Sequence, residues 1–199
     1  MTEPNLKDVF EKNRYNLADA AKKSRTWLNN EVLALSKQRI TARKTIYEDP
    51  DALKTRIVPG NLYLYMYDPK TKDTLPYYDM FPLVFPYART KDGFIGLNMH
   101  YLPYDLRLGL LNSLMKYASN TRLNEHTKIK YSWQLIKDAS GFQAAYPCIK
   151  QYLSGHVRSP FRKIESSSWA TAMLLPVEKF VGASNAEVWK DSRKIIRRA

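Results

Sequence analysis

The sequence predicts an α+β fold: a helical N-terminal segment, then a small twisted antiparallel sheet or partly open barrel, then several packed helices. Three observations predict it. Residues 1–56 contain no glycine, and their apolar side chains recur at threes and fours, as on an amphipathic helix. The run NLYLYMYD alternates Leu62, Leu64 and Met66 with Tyr63, Tyr65 and Tyr67, the period of two of a strand. From Pro103 onward the threes and fours return.

In the N-terminal segment, residues 1–57, the stripe is Leu17, Ala20, Ala21, Trp27, Leu28, Val32, Leu33 and Leu35. It is narrow, which suits helices that dock on a partner or on the rest of the chain, with Trp27 and Leu28 as interface candidates. Ser24 can cap a restarting helix, and Asp49-Pro50 marks a turn. The character changes at Val58-Pro59-Gly60, so residues 58–199 are expected to form the α+β core domain. LVFPYA and GFIGLNMHYL read as two further strands around the turn RTKDG, with Gly93 at its end. Five prolines between Pro59 and Pro86 confine several positions to edges or bulges.

After Pro103, Asp105 can cap LRLGLLNSLMKYA, with Leu106, Leu110, Leu114 and Tyr117 on one face. KIKYSWQLIKDA is a second helix, through Ile129, Trp133 and Ile136. AAYPCIKQYLSGH reads as a third, ended by Gly155 and burying the single cysteine, Cys148. HVRSPFRKI is extended and expected to return to the sheet. SSSWATAMLLPVEKF opens on a serine cap, and NAEVWKDSRKIIRR closes the chain as a short basic helix.

No catalytic pattern emerges. There is no glycine-rich phosphate loop, since Gly93-Phe94-Ile95-Gly96 is too short and has a geometric reading. His100, His126 and His156 lack partners at zinc spacing, and His100 is expected to be a packed structural residue. Asp68, Asp73 and Asp79 could serve a metal-dependent nuclease only with a partner Glu-x-Lys, which is missing; Asp68 and Asp79 read as turn and cap residues. Ser166, Ser167 and Ser168 lack an adjacent base. The expectation is a protein that is not an enzyme, with no catalytic residue, no metal and no cofactor. A lone cysteine permits no internal disulfide, no apolar run nears the roughly 20 residues of a membrane span, and the first residues lack a signal-peptide core.

The charge is more informative. The formal net charge is +13, from 32 Lys and Arg against 19 Asp and Glu, and an imbalance of this size is commonly offset by nucleic acid or an acidic protein. It is unevenly held: residues 150–199 carry ten basic and four acidic residues. Arg158, Arg162 and Lys163 lie in one extended stretch. Lys190, Arg193, Lys194 and Arg197 recur at i, i+3, i+4 and i+7 and share a helix face. That row fits phosphate contact, docking on an acidic protein ring, or a solvated helix end that complements the dipole. The 14 tyrosines fit either a tyrosine-rich core or an interface, with Tyr77 and Tyr78 of LPYYD as interface candidates.

PGNLYLYMYDPKTKDTLPYYDMFPLVFPY, GFIGLNMHYLPYDLRLGLLNSL, YPCIKQYLSGHVRSPFRKI and LLPVEKFVGASNAEVWKDSRKII span most of residues 58–196. Together they resemble a small virion protein family of T-even-type contractile-tailed phages, the DNA end protectors. The resemblance implies a virion protein, made in the host cytoplasm, that binds and shields the packaged double-stranded DNA end at the head–tail junction. The other implied role is a neck, tail or baseplate connector making only protein contacts. Its implied partners are portal, neck, tail or baseplate proteins within a symmetric assembly. It brings no catalytic residues, and residues 1–57 match it less clearly.

Overall fold

The structure is a computed structural model that describes residues 53–198 apart from 105, 108–109, 112–113, 115–121, 140–142 and 175. The expected N-terminal helices, with Trp27 and Leu28, therefore lie outside the described residues, as do Asp105 and Tyr117.

The alternation around residue 63 does form a strand, β2 (Leu62–Leu64), at the centre of an open six-stranded sheet. The other strands of the sheet are β1 (Leu53–Lys54), β4 (Leu83–Thr90), β5 (Gly93–Asn98), β6 (Ile149–Leu153) and β7 (Phe161–Ile164), in the order β1-β7-β2-β4-β5-β6. Every pairing is antiparallel. HVRSPFRKI thus returns to the sheet as expected. β4 and β5 form a hairpin around Lys91-Asp92, closed by the Thr90–Gly93 pair, and Pro86 adjoins a bulge before Ala88. β3 (Tyr78–Asp79) and β8 (Phe180–Val181) make a separate ribbon.

Period-two alternation places the leucines and the tyrosines on opposite faces, and both faces are buried. Leu62, Leu64, Leu83, Phe85, Leu97 and Ile164 join the main core with the helices. Tyr63, Tyr65, Tyr67, Val84, Phe94 and Tyr152 form a second, aromatic core, covered by Ile57, Val157 and Phe161. The Tyr65 ring meets Tyr67, Phe94, Tyr152 and Phe161 edge-on at 5.0–6.4 Å. Burial pushes the phenols of Tyr65 and Tyr152 well above their ordinary range, so both stay neutral. Of the two readings left open for the tyrosines, the core reading holds for this group.

The helices are α1 (Glu125–Ala139), α2 (Trp169–Leu174) and α3 (Asn185–Arg198), with further helical residues between 104 and 114 that bury Arg107, Leu111 and Leu114. The second expected helix is α1. Ile136 is buried, and the Trp133 indole N–H donates to the Tyr87 carbonyl at 3.0 Å. Gly60 lies beneath it at φ +92°, where a β-carbon would meet the Ile129 carbonyl oxygen at 2.6 Å. The serine run forms a 3-10 turn, Ser166–Ser168, leading into α2.

Two expectations need correction. AAYPCIKQYLSGH is not a helix: Gln143–Cys148 is a 3-10 turn, Ile149–Leu153 is edge strand β6, and Ser154–His156 is another 3-10 turn. Pro147 supplies no backbone N–H to continue an α-helix, and the β5 glycines let a strand come close. A β-carbon on Gly93 would collide with the Tyr152 carbonyl oxygen. Cys148 is still fully buried, and burial pushes its thiol up to about 12. The sheet also begins before residue 58, because Leu53 and Lys54 pair with Arg162 and Phe161. Two residues are too few to show a period.

Candidate nucleic-acid interface

The basic helix α3 begins at a reciprocal cap. The Glu187 carboxylate accepts from the Ser184 backbone N–H (2.8 Å) and hydroxyl (2.7 Å), and the Ser184 hydroxyl accepts from the Glu187 N–H (3.3 Å). Those two donors hold the Glu187 carboxyl below its ordinary value. Ser184-Asn185-Ala186-Glu187 was a legible S-x-x-E signal that the reading of the sequence missed. Ser184→Ala is expected to cost about 1 kcal/mol, or about 3 °C in Tm for a chain of this size. A thermal melt checks this, and the salt dependence of any DNA binding should stay unchanged.

One face of α3 is buried through Val188 and Ser192, with Trp189 and Ile196 packed alongside. The Trp189 indole N–H donates to the His100 carbonyl (2.9 Å), and the Ser192 hydroxyl donates to the Tyr101 carbonyl (2.7 Å). Both carbonyls belong to the 3-10 turn Met99–Tyr101 that follows β5. The turn is itself pinned. Asp79 accepts from His100 Nδ1 at 2.8 Å, from the Asn98 amide at 3.0 Å and from the Phe81 N–H at 3.0 Å. His100 is therefore the packed structural residue expected of it. Asp79 does serve a turn, but it is also a buried hub.

Beneath this platform lies Arg107, fully buried, which the reading of the sequence passed over. It donates to the carbonyls of Leu102 (2.6 Å), His100 (3.0 Å) and Met173 (3.0 Å), and pairs with Glu178 at 2.8 Å. Its guanidinium lies 4.6 Å from the Tyr104 ring centre and 5.5 Å from that of Trp189. The signal was an arginine inside the apolar run LRLGLL, four residues before Leu111.

The opposite face of α3 carries Lys190, Arg193, Lys194 and Arg197, all exposed. The structure brings these four together along a groove of about 480 Å³, whose lining also includes Pro103, Ala186 and Trp189. Lys194 also pairs with Asp191 at 2.9 Å, between two exposed side chains, a contact of small energetic weight.

The other three predicted cations do not join that row. β7 stands beside β1 at one edge of the sheet, whereas α3 packs on the turns that adjoin β5 and β6 at the other. Arg162 and Lys163 are successive strand residues and leave β7 on opposite sides. Lys163 pairs with Glu165 at 2.9 Å beside a narrow crevice that Lys128 also lines. Arg158 is exposed; its guanidinium donates to the Gly155 carbonyl at 3.1 Å and lies 3.9 Å from the Asp68 carboxylate. Tyr77 turns its ring onto Tyr101 and Phe180, at 6.1 and 6.3 Å, and half-buried Tyr78 pairs with Val181 in the small ribbon. Among the described residues no three His, Cys, Asp or Glu side chains gather as metal ligands, and no helix is long and apolar enough to cross a membrane.

A family model described as phage T4 terminal DNA protecting protein matches residues 9–194. No curated protein and no solved structure matches the chain. The match runs from the N-terminal segment through the sheet and into the basic helix, and on that extent the chain belongs to the phage T4 terminal DNA protecting protein family.

Proposed function

We propose that the chain binds the end of packaged double-stranded DNA at the head–tail junction of a phage particle and shields it by occupying it, without chemistry of its own. The observation that carries this reading is the row Lys190, Arg193, Lys194 and Arg197, gathered along one groove on a helix held by buried hydrogen bonds, in a member of a terminal DNA protecting family. Cations on a rigid support hold phosphates without ordering a loop first, and each phosphate neutralised releases counterions. The net charge of +13 supports an anionic partner. Portal or neck proteins of a symmetric assembly are the protein partners this position would supply.

A gel shift with blunt linear duplex across a salt series tests the reading. Retention at about 150 mM salt, with log affinity falling linearly against log salt, is the expected result. No retention at that salt, together with assembly into rings with an acidic virion protein, would move the function to a connector making only protein contacts.

A further inference from the structure

We infer that the groove beside α3 takes the terminal nucleotide of one DNA strand: phosphates along its cationic rim, and the sugar and exposed base edge on its apolar floor. This rests on the DNA-end reading above and adds to it what distinguishes an end from the rest of the duplex.

Cations suffice to hold the outside of a duplex, which presents phosphates. Here the cations border a concavity whose remaining lining is Pro103, Ala186 and Trp189. An apolar floor of that kind gains nothing from phosphates. It does gain from a sugar and the edge or face of a base, and an unstacked base surface is displayed at a terminus. The groove, at about 480 Å³, has room for a group of nucleotide size.

The spacing agrees. Lys190 and Arg197 are seven residues apart on α3, so their Cα atoms are separated by about 10 Å along the helix axis. Along the duplex axis one DNA strand advances about 3.4 Å per nucleotide, so a row lying along that axis spans about three steps. The floor lies at the Ala186 and Trp189 end of this row, so a strand following the cations would finish over the floor. Trp189 is fixed there by its bond to the His100 carbonyl and by the Tyr104 ring, 5.1 Å away, so the floor exists before anything binds.

Ala186→Trp tests this, because it fills the floor from an exposed position in the first turn of α3 and leaves all four cations in place. The probes are a linear duplex and a covalently closed circle of the same sequence. The wild type should prefer the linear form by about tenfold or more, the worth of one good contact. In Ala186→Trp the two affinities should become equal, with the salt dependence unchanged. A 5′-phosphorylated trinucleotide should compete for the wild type and not for the variant. Ala186→Met, a smaller intrusion, should give an intermediate preference, and thermal melts establish that both variants are folded. An unaltered preference for linear DNA in folded Ala186→Trp would overturn the inference. The charge-reversed variant K190E/R193E/K194E/R197E separates the two readings: if it still binds DNA as the wild type does, the α3 surface is not the DNA site at all. If it loses binding while Ala186→Trp keeps its preference, only the terminal-nucleotide inference falls.

Discussion

Changing Lys190, Arg193, Lys194 and Arg197 together to Glu is expected to abolish binding to duplex ends. It should also remove about 3.6 from the slope of log affinity against log salt, at about 0.9 per phosphate contact. A slope of that size means a fall of about a hundredfold between 50 and 200 mM salt in the wild type, which a gel shift resolves readily. The fold should tolerate the change. All four side chains are exposed, and the face that holds α3 in place, Val188 and Ser192 with Trp189 and Ile196, is left intact. A carboxylate at position 197, in the last turn, opposes the helix dipole at about 0.3–1 kcal/mol, so the fourfold Gln variant belongs beside the Glu one. Gln removes the phosphate contacts without that penalty and should flatten the salt slope equally. Wild-type affinity in both variants, with melts showing folded protein, would move DNA binding away from α3, leaving Lys163 on β7 and Arg158 beside the turn after β6 as the next positions to test.

Which parts of this architecture the sequence displays follows from the range of the interactions. Period two in Leu62–Tyr67 and the i, i+3, i+4, i+7 cations of α3 depend on local backbone geometry, so both are visible without a structure. The strand β6 is not visible in this way. Ile149–Leu153 follows Pro147 inside a stretch whose apolar residues also suit a helix, and the choice is made by β5, more than fifty residues earlier, where Gly93 leaves room for the Tyr152 backbone. The grouping of the cations fails for a related reason. Arg162 and Lys163 are close to α3 in sequence, but strand order sets β7 away from β5 and β6, whose adjoining turns carry α3. The N-terminal part of the groove lining, Pro103, comes from a different segment, and no periodicity within either segment announces that they meet. His100 and Asp79 show the limit from the other side. Each was legible as structural, yet their partnership across 21 residues depends on the fold.

Arg107→Met should be the most destabilising single change at this platform, and it should carry DNA binding down with it. Removing one partner of a buried ion pair costs about 3–5 kcal/mol, because the Glu178 carboxylate remains buried without its cation. Arg107 does more than neutralise that charge. It is also a donor to the carbonyls of Leu102, His100 and Met173, which tie the turn after β5 to the end of α2. The His100 carbonyl keeps another donor, the Trp189 indole, when the guanidinium is removed. The double variant Arg107→Met, Glu178→Met decides between the two contributions. If the ion pair were the whole effect, replacing both partners with apolar side chains would restore most of the stability. With the carbonyls of Leu102 and Met173 also left without this donor, the double variant should remain destabilised by about 2 kcal/mol or more, at about 1–3 kcal/mol for each buried acceptor. Urea unfolding of the three proteins measures this directly; recovery of the double variant to within about 1 kcal/mol of the wild type would show that the charge alone matters. The link to function follows from the same bonds. The turn that Arg107 holds is the one that accepts from Trp189 and Ser192, so loosening it releases α3 and the phosphate row from a fixed position. Under conditions where the variant is still folded, its affinity for duplex ends should fall while its four exposed cations remain, because cations on an undocked helix must be ordered again each time they bind.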